Sequence, residues 1–302
     1  MIELAGVSKT YRSLVRRRTV HALEDLTLAI PAGEVFGIAG PNGAGKSTLI
    51  SLLMGFLVPT RGTVRIGGEH PRGWVERHGA SYLTELVALP PRWPLEQALA
   101  RLGTLAGHDP AARRERIERA IDVLGLEEHR SKQVRQLSKG NLQRLGLAQA
   151  LLDDSDLVIL DEPTHGLDPV YTQRFRDIVR ELRRPERTIV IASHNLDELE
   201  RLTDRVAILS RGRLQRVVGG TDGARAGSVA YRLTIAGAGP IDTAYGSPVD
   251  GRPGEWRLVG EVGALNAELA RLIATGVVVT AFYPEESRLE LEFRQAMEEG
   301  TR

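Results

Sequence analysis

The segment Gly-Pro-Asn-Gly-Ala-Gly-Lys-Ser-Thr at residues 40–48 constrains the fold of this chain more than any other feature. It follows the apolar segment 33–40, which is predicted to be a short buried strand, and it precedes an apolar helix predicted from about Lys46 to Phe56. Glycines in the segment allow the backbone to turn its N–H groups inward, around the oxygen atoms of an anion. The pattern G-x-x-x-x-G-K-[ST] between a strand and a helix therefore predicts a phosphate cradle, against the alternative of an incidental glycine-rich turn.

Lysine is rare in this chain. Its 40 lysine and arginine side chains include the lysines Lys9, Lys46, Lys132 and Lys139, and all the others are arginines. Lys46 lies in the predicted cradle, where a compact point charge fits among phosphate oxygens better than the broad fork of an arginine. The Ser47 hydroxyl suits Mg²⁺, which bridges the β- and γ-phosphates of a nucleoside triphosphate. Both residues support the prediction of a phosphate site.

Two apolar segments typical of central parallel strands end in polar side chains. The segment 157–160 is followed by Asp161 and Glu162, and the next such segment by His194. A predicted helix over about 170–183 joins them into a βαβ unit, whose strand ends lie at the edge where doubly wound sheets place ligands. We expect Asp161 to hold Mg²⁺ and Glu162 to orient an attacking water, with His194 near the same γ-phosphate. The alternatives are a turn with solvated acids and a structural histidine.

The segment Leu-Ser-Lys-Gly-Asn-Leu-Gln-Arg at residues 137–144 has the features of a helix N-terminus. Ser138 is a good N-cap, and apolar residues recur after it at helical spacing. A capped N-terminus beside a glycine offers free backbone N–H groups and the positive end of the helix dipole to an anion. No Asp or Glu lies nearby in the sequence, so the source of that anion stays open at this point.

Charge and composition argue against several classes of protein. A net charge of +1 gives no global field that would attract nucleic acid, and the absence of cysteine excludes disulfides, thiolate metal sites and thiol nucleophiles. No apolar run approaches the ~18 to 20 residues of a membrane-spanning helix. The N-terminal residues alternate and carry an early charge, unlike a signal peptide. If the protein works at a membrane, we therefore expect another chain to supply the span.

Composition also suggests how the chain is divided. Residues 2–11 and 20–30 are predicted strands, and the segment of about 86–152, rich in Arg, Ala and Leu, is predicted to form a helical subdomain. Residues 219–227 have the composition of a flexible linker. Residues 228–302 are predicted to form a small α+β domain with no evident chemistry.

Five motifs occur in the order and spacing of one known family. They are Gly40–Thr48, Leu137–Asn141, Leu157–Pro163, Gly166–Pro169 and His194. Over about residues 2–218 the chain resembles the nucleotide-binding subunits of ABC transporters. Residues 279–300 resemble the tail of ATPase subunits from bacterial exporters of the multidrug and antibiotic-resistance type. The resemblance implies an α/β chain with the P-loop NTPase fold of the ABC type over 1–218, in which a mixed sheet core is joined by N-terminal antiparallel strands and the helical subdomain, plus the small C-terminal α+β domain.

The resemblance also implies a role for each matching residue. The implied catalytic residues are Lys46, Glu162 and His194, and the implied Mg²⁺ ligands are Ser47, Asp161 and Glu85. The residues implied to bind ATP are Tyr11, Gly40, Pro41, Asn42, Gly43, Ala44, Gly45, Lys46, Ser47, Thr48, Ser138 and Gly140. Tyr11 would stack on the adenine, although a ring at a strand end suits packing as well. Asp168 would couple the two ATP sites of a dimer.

Three positions depart from the family pattern. In the signature Leu-Ser-Gly-Gly-Gln, Lys139 replaces the first of the paired glycines and Asn141 replaces the glutamine. Lys139 either adds positive charge near a phosphate or points to solvent. Glu85 stands where the family has a glutamine; a carboxylate there either ligates Mg²⁺ or its water, or is a surface acid.

Membership of this family would imply an ATPase that works as a head-to-tail homodimer, with each ATP between the cradle of one copy and the signature of the other. The implied partner is a separate integral membrane permease, which would hold the subunit at the cytoplasmic face of the membrane. The tail favours export, and no nucleic-acid partner is expected. Two other functions stay open: a soluble ABC ATPase in DNA repair or translation, and a non-hydrolysing ATP-dependent regulator.

Overall fold

The computed structural model describes residues 1–12, 19–219, 229–237, 243–285 and 288–299. The chain divides into two compact units, the first made of Met1–Gly220 with Ala296–Arg302 and the second of Thr221–Gln295. The predicted linker 219–227 lies outside the described residues except for its first residue. The domain limits drawn from composition therefore remain a prediction.

A mixed sheet forms the centre of the first unit. Its strands are β3 (Val35–Ala39), β5 (Ser81–Leu83), β6 (Leu157–Asp161), β7 (Thr188–Ser193), β8 (Arg205–Ser210) and β9 (Arg213–Gly219). They lie in the order β5-β6-β7-β3-β8-β9, with β9 antiparallel to β8 and the other pairs parallel. β3, β6 and β7 are buried along their whole length, as expected for strands covered on both faces. The sheet confirms the predicted α/β class.

A second, antiparallel sheet covers part of this core. Its strands are β1 (Ile2–Arg12), β2 (Thr19–Ile30) and β4 (Arg61–Ile66), in the order β2-β1-β4. Their apolar residues share one hydrophobic cluster with helix α1 (Lys46–Leu53). α1 ends before the predicted Phe56 because Gly55 adopts a φ of 70°, the left-handed conformation that closes helices.

The first unit contains further helices. They are α2 (Pro71–His78), α3 (Leu95–Leu105), α4 (Pro110–Val123), α5 (Lys139–Ala150), α6 (Pro169–Leu182) and α7 (Leu196–Leu202). α3, α4 and α5 pack on one another within the predicted helical segment, and α6 joins β6 to β7 as the βαβ pattern predicts. Among the described residues, no helix has the length and apolar character that crossing a membrane requires.

The second unit is a small α+β structure. Its strands are β10 (Val229–Ile235), β11 (Gly246–Pro248), β12 (Glu255–Gly260) and β13 (Val279–Pro284), in the antiparallel order β11-β12-β10-β13. Helix α8 (Val262–Ala274) contributes Leu265 and Leu272 to the core that Leu233, Trp256 and Leu258 form on the sheet. A last helix, α9 (Arg288–Glu299), follows β13.

Candidate functional site

The glycine-rich segment lies between the end of β3 and the start of α1. Gly45 is the N-cap of α1 with a φ of 108° and makes no side-chain cap. A Cβ on Gly45 would lie 2.6 Å from the Ala22 carbonyl oxygen, and one on Gly40 would lie 2.6 Å from that of Leu209. Glycine is therefore required at both positions, because any side chain would collide with backbone. The first N–H groups of α1 have no capping side chain and suit an anion.

Lys46 lies inside this loop. Its side chain is buried, and its Nζ donates a hydrogen bond to the Gly40 carbonyl oxygen at 2.7 Å. The same Nζ lies 3.6 Å from Oε1 of Glu162. A buried ammonium between a carbonyl and a carboxylate is positioned to exchange either partner for a phosphate oxygen.

The hairpin between β8 and β9 supports the loop from outside. Gly212, at the tip of that hairpin, donates its N–H to the Ala44 carbonyl oxygen at 3.0 Å and accepts the N–H of Glu24 at 2.8 Å. A Cβ on Gly212 would lie 2.8 Å from the Ala22 oxygen. Sequence reasoning missed this support, because the contacting segments are far apart in the chain.

Asp161 ends β6 and is 3% exposed. Burial, followed by the charges of the nearby Glu85 and Glu162, raises the pKa of its carboxyl to about 6, although Lys46 and a hydrogen bond from Ser47 act in the opposite direction. Carboxylate and hydroxyl oxygens are the ligands that Mg²⁺ prefers, so Asp161, Ser47 and Glu85 fit such an ion. Among the described residues, no group of three or more His, Cys, Asp or Glu side chains is arranged to hold a metal ion alone. An ion here would depend on phosphate oxygens as well.

Glu162 follows β6 in a left-handed conformation, with a φ of 50° that is unusual for a non-glycine residue. Its N–H donates to the Ala192 carbonyl oxygen at 2.8 Å. Its buried carboxylate accepts hydrogen bonds from Ser193 Oγ at 3.2 Å and from the His194 N–H at 3.1 Å, and it lies 2.8 Å from His194 Nδ1. The His194 side chain is 60% exposed. The loop after β7 therefore fixes a buried carboxylate and an open imidazole as one pair.

One cavity of about 440 Å³ joins most of the predicted residues. It is lined by Tyr11, Val20, His21, Ala22, Pro41, Asn42, Gly43, Ala44, Gly45, Lys46, Ser47, Thr48, Glu85, Asp161 and Glu162. Tyr11 is 39% exposed there, and Lys9 Nζ lies 5.5 Å from its ring centroid. Sequence reasoning missed Val20 and His21. Both lie on β2 opposite the end of β1, and Val20 pairs with Tyr11, so a predicted pairing of the two strands could have placed them at the site.

The predicted signature residues lie elsewhere. Ser138 and Gly140 do not line the cavity. Ser138 is exposed, and its Oγ accepts the N–H of Asn141 at 3.2 Å as the N-cap of α5. Lys139 is exposed, and its Nζ lies 2.8 Å from Nε2 of His165. The structure thus places cradle and signature apart within one copy of the chain.

A buried glutamine connects α5 to the loop after β6. Gln143 Nε2 donates to the carbonyl oxygens of Glu162 and Pro163, both at 3.1 Å. Sequence reasoning missed Gln143; its signal is a polar side chain on a helix whose neighbouring positions are buried. The contact fixes the backbone that carries the Glu162 carboxylate.

Comparison with known proteins identifies the family of the first unit. The family model described as ABC transporter matches residues 23–165. An uncharacterised ABC transporter ATP-binding protein of Nostoc is 38% identical over 223 residues, which are 71% of this chain and 65% of that protein. YhcH of Bacillus subtilis, named in the same way, is 35% identical over 71% of this chain and 68% of its own length. The daunorubicin/doxorubicin resistance ATP-binding protein DrrA of Streptomyces peucetius is 36% identical over 74% and 66%.

The chain covers part of the length of each of these relatives. The chain spans 65% of the length of the Nostoc protein and 61% of an uncharacterised ABC transporter ATP-binding protein of Synechocystis. Among solved structures, this chain is similar to the ATP-binding cassette MJ0796 in a dimeric post-hydrolysis state bound to ADP and phosphate. The match covers 72% of this chain and 98% of the MJ0796 chain. Its TM-score is 0.66 at 24% identity, so it supports the fold. The identity and coverage of the curated relatives show that this chain belongs to the ABC transporter ATP-binding proteins.

Proposed function

We propose that this subunit hydrolyses ATP as a head-to-tail homodimer and thereby drives a separate membrane permease. One observation carries the proposal: the buried Glu162 carboxylate lies 2.8 Å from His194 Nδ1 and 3.6 Å from Lys46 Nζ, at the end of a phosphate cradle. A carboxylate, an imidazole and an ammonium at one point are the groups that phosphoryl transfer to water uses.

The predicted site residues have distinct roles in this proposal. Tyr11 stacks on the adenine, while the cradle N–H groups hold the phosphates. Lys46 exchanges the Gly40 carbonyl for a γ-phosphate oxygen. Glu162 accepts a proton from the attacking water and orients it. The Glu162 carboxylate can only accept, so His194 donates its Nδ1–H to Glu162 and, as an imidazolium with a second proton on Nε2, donates from Nε2 to the γ-phosphate. Mg²⁺ held by Ser47 and Asp161, with Glu85 ligating it or its water, would neutralise charge on the β- and γ-phosphates.

A second copy supplies the other face of each ATP. The exposed Ser138 and the N–H of Gly140 would bind the γ-phosphate of the nucleotide held by the partner, which identifies the anion that α5 lacks within its own chain. A two-fold axis makes both sites equivalent. The dimeric assembly of the structurally similar MJ0796 supports this arrangement.

Export is the direction we propose, because DrrA is named as a drug resistance protein and the tail resembles exporter subunits. The permease would select the substrate and place the subunit at the cytoplasmic face of the membrane. A non-hydrolysing regulator is less well supported, since the cavity contains Lys46, Asp161 and Glu162 together. A soluble ABC ATPase in repair or translation is less well supported, since the relatives are named as ABC transporter ATP-binding proteins.

Glu162→Gln is the test of the hydrolytic role. The variant keeps the shape and removes the base, so ATP turnover is expected to fall by a factor of about 100 to 1,000 while ATP affinity stays within about twofold. Steady-state phosphate release measures turnover, and equilibrium dialysis with labelled ATP measures binding. Turnover at the wild-type rate in Glu162→Gln would contradict the assignment.

A further inference from the structure

The contact between Lys139 and His165 has a defined chemistry. Lys139 Nζ lies 2.8 Å from His165 Nε2. An ammonium can only donate, so His165 Nε2 accepts, and the imidazole is neutral with its proton on Nδ1. One lysine therefore selects one tautomer of one histidine.

The backbone is shaped to receive this lysine. Gly166 has a φ of 80°, and a Cβ on it would lie 3.2 Å from each of three methylene carbons of Lys139. The lysine stem thus lies flat against Gly166. Gly140 also lies close to Gly166, since a Cβ on Gly140 would lie 3.0 Å from the Gly166 carbonyl oxygen. The start of α5 and the loop after β6 meet where both lack side chains, and Lys139 fills the space between them.

His165 also contacts the proposed catalytic pair. The backbone N–H of His165 donates to the Glu162 carbonyl oxygen at 3.1 Å. Its ring stands edge-on to the His194 ring, with centroids 6.4 Å apart and an interplanar angle of 88°. Edge-to-face pairs at this separation are attractive, because the positive edge of one ring faces the negative face of the other. The ring of His165 therefore contacts the ring of His194, whose Nδ1 hydrogen-bonds the Glu162 carboxylate.

We propose that Lys139 and His165 are a positioning pair that holds His194 in its hydrogen bond with Glu162. Lys139 fixes the tautomer and the plane of the His165 ring, and that ring fixes the orientation of His194. Because Lys139 begins the helix that faces the partner's nucleotide, the pair joins that helix to the residues acting on the chain's own nucleotide. The inference rests on the proposed function, since it takes His194 as catalytic.

The test compares Lys139→Met with two other variants. Lys139→Met keeps a long stem and removes the donor. Lys139→Arg restores a donor, and Lys132→Met removes the same charge from an exposed position before α5. In Lys139→Met we expect kcat to fall about 5- to 20-fold with the KM for ATP within about twofold, since positioning acts on the transition state and not on ground-state binding. Lys139→Arg recovers most of the loss, and Lys132→Met has none.

A spectroscopic arm reads the tautomer without any turnover. Nitrogen-15 NMR of the imidazoles at pH 8 in the nucleotide-free protein, with His165→Gln to assign the signal, is expected to show His165 protonated on Nδ1 in the wild type. Lys139→Met is expected to shift it toward the Nε2-protonated form. A wild-type His165 protonated on Nε2 would overturn the pair, and so would wild-type kcat in Lys139→Met. A wild-type chain without turnover would instead overturn the proposed function, and this inference with it.

Discussion

The N-termini of α1 and α5 each begin with a lysine, yet they are built in opposite ways. At α1 the cap is a glycine without a side chain, and Lys46 is buried with its Nζ on the Gly40 carbonyl oxygen. At α5 the cap is Ser138, which hydrogen-bonds Asn141, and Lys139 is exposed. Neither helix has an acidic residue in its first turn. We therefore expect α1 to meet an anion within its own chain, whereas the capped N-terminus of α5 is exposed at Ser138 and Lys139.

Lys46→Ala is expected to have the largest effect on ATP binding, because it removes the buried lysine at the N-terminus of α1. Losing a buried ammonium that would contact phosphate costs about 3 kcal/mol, so the Kd for ATP should rise about 100-fold. Isothermal titration with ATP measures this, with Lys132→Ala as the control at an exposed position. Equal affinities in the two variants would remove Lys46 from the site.

Two substitutions at Ser138 change the exposed N-terminus of α5 and leave the phosphate cradle intact. Ser138→Asp keeps an N-cap but adds a negative charge facing the proposed γ-phosphate, whereas Ser138→Ala loses the cap at a cost of about 1 kcal/mol. ATP affinity of the single chain is expected to stay unchanged in both. ATP-driven dimerisation should weaken about tenfold in Ser138→Ala and more in Ser138→Asp. Dimerisation at wild-type strength in Ser138→Asp would show that this helix end meets no phosphate.

Asp161→Asn tests the α1 site through the free energy of unfolding, because the Asp161 carboxyl is buried beside the cradle. Its pKa is raised from 3.8 to about 6 by burial, so the folded protein holds a proton at pH 5 that the unfolded chain releases. Stability therefore declines as pH rises through this interval. In nucleotide-free protein at pH 8, Asp161→Asn should raise the free energy of unfolding by about 1–3 kcal/mol. The gain should shrink at pH 4 in urea titrations followed by circular dichroism, and an equal gain at both pH values would contradict this.

Tyr11→Leu is expected to have the smallest effect. The ring lines the cavity and is 39% exposed, so the proposed stacking on adenine would be worth about 0.5–1.5 kcal/mol. The Kd for ATP should rise about 2- to 10-fold, and Tyr11→Phe should keep wild-type affinity. If the two variants bind ATP alike, Tyr11 packs the end of β1 and does not recognise the base.

The two helix ends also differ in how far the sequence predicts them. The cradle and the carboxylates after β6 are contiguous motifs, and their secondary structure follows from local patterns, so the α/β class and most residues of the cavity are accessible from sequence. Val20 and His21 are the exceptions, because they reach the cavity through the pairing of β2 with β1. Lys139 and His165 are 26 positions apart and meet because α5 packs beside the loop after β6. Gln143 contacts that loop in the same way. Such contacts depend on tertiary packing, which local periodicity does not encode.

The central claim is that one copy of the chain provides half of each ATP site. Sedimentation of Glu162→Gln with and without ATP and Mg²⁺ tests this claim most directly, because blocked hydrolysis should trap the closed form. The account predicts the mass of two chains with ATP and Mg²⁺, and of one chain without nucleotide or with ADP. A single-chain mass under conditions where dialysis shows the site filled with ATP would contradict it.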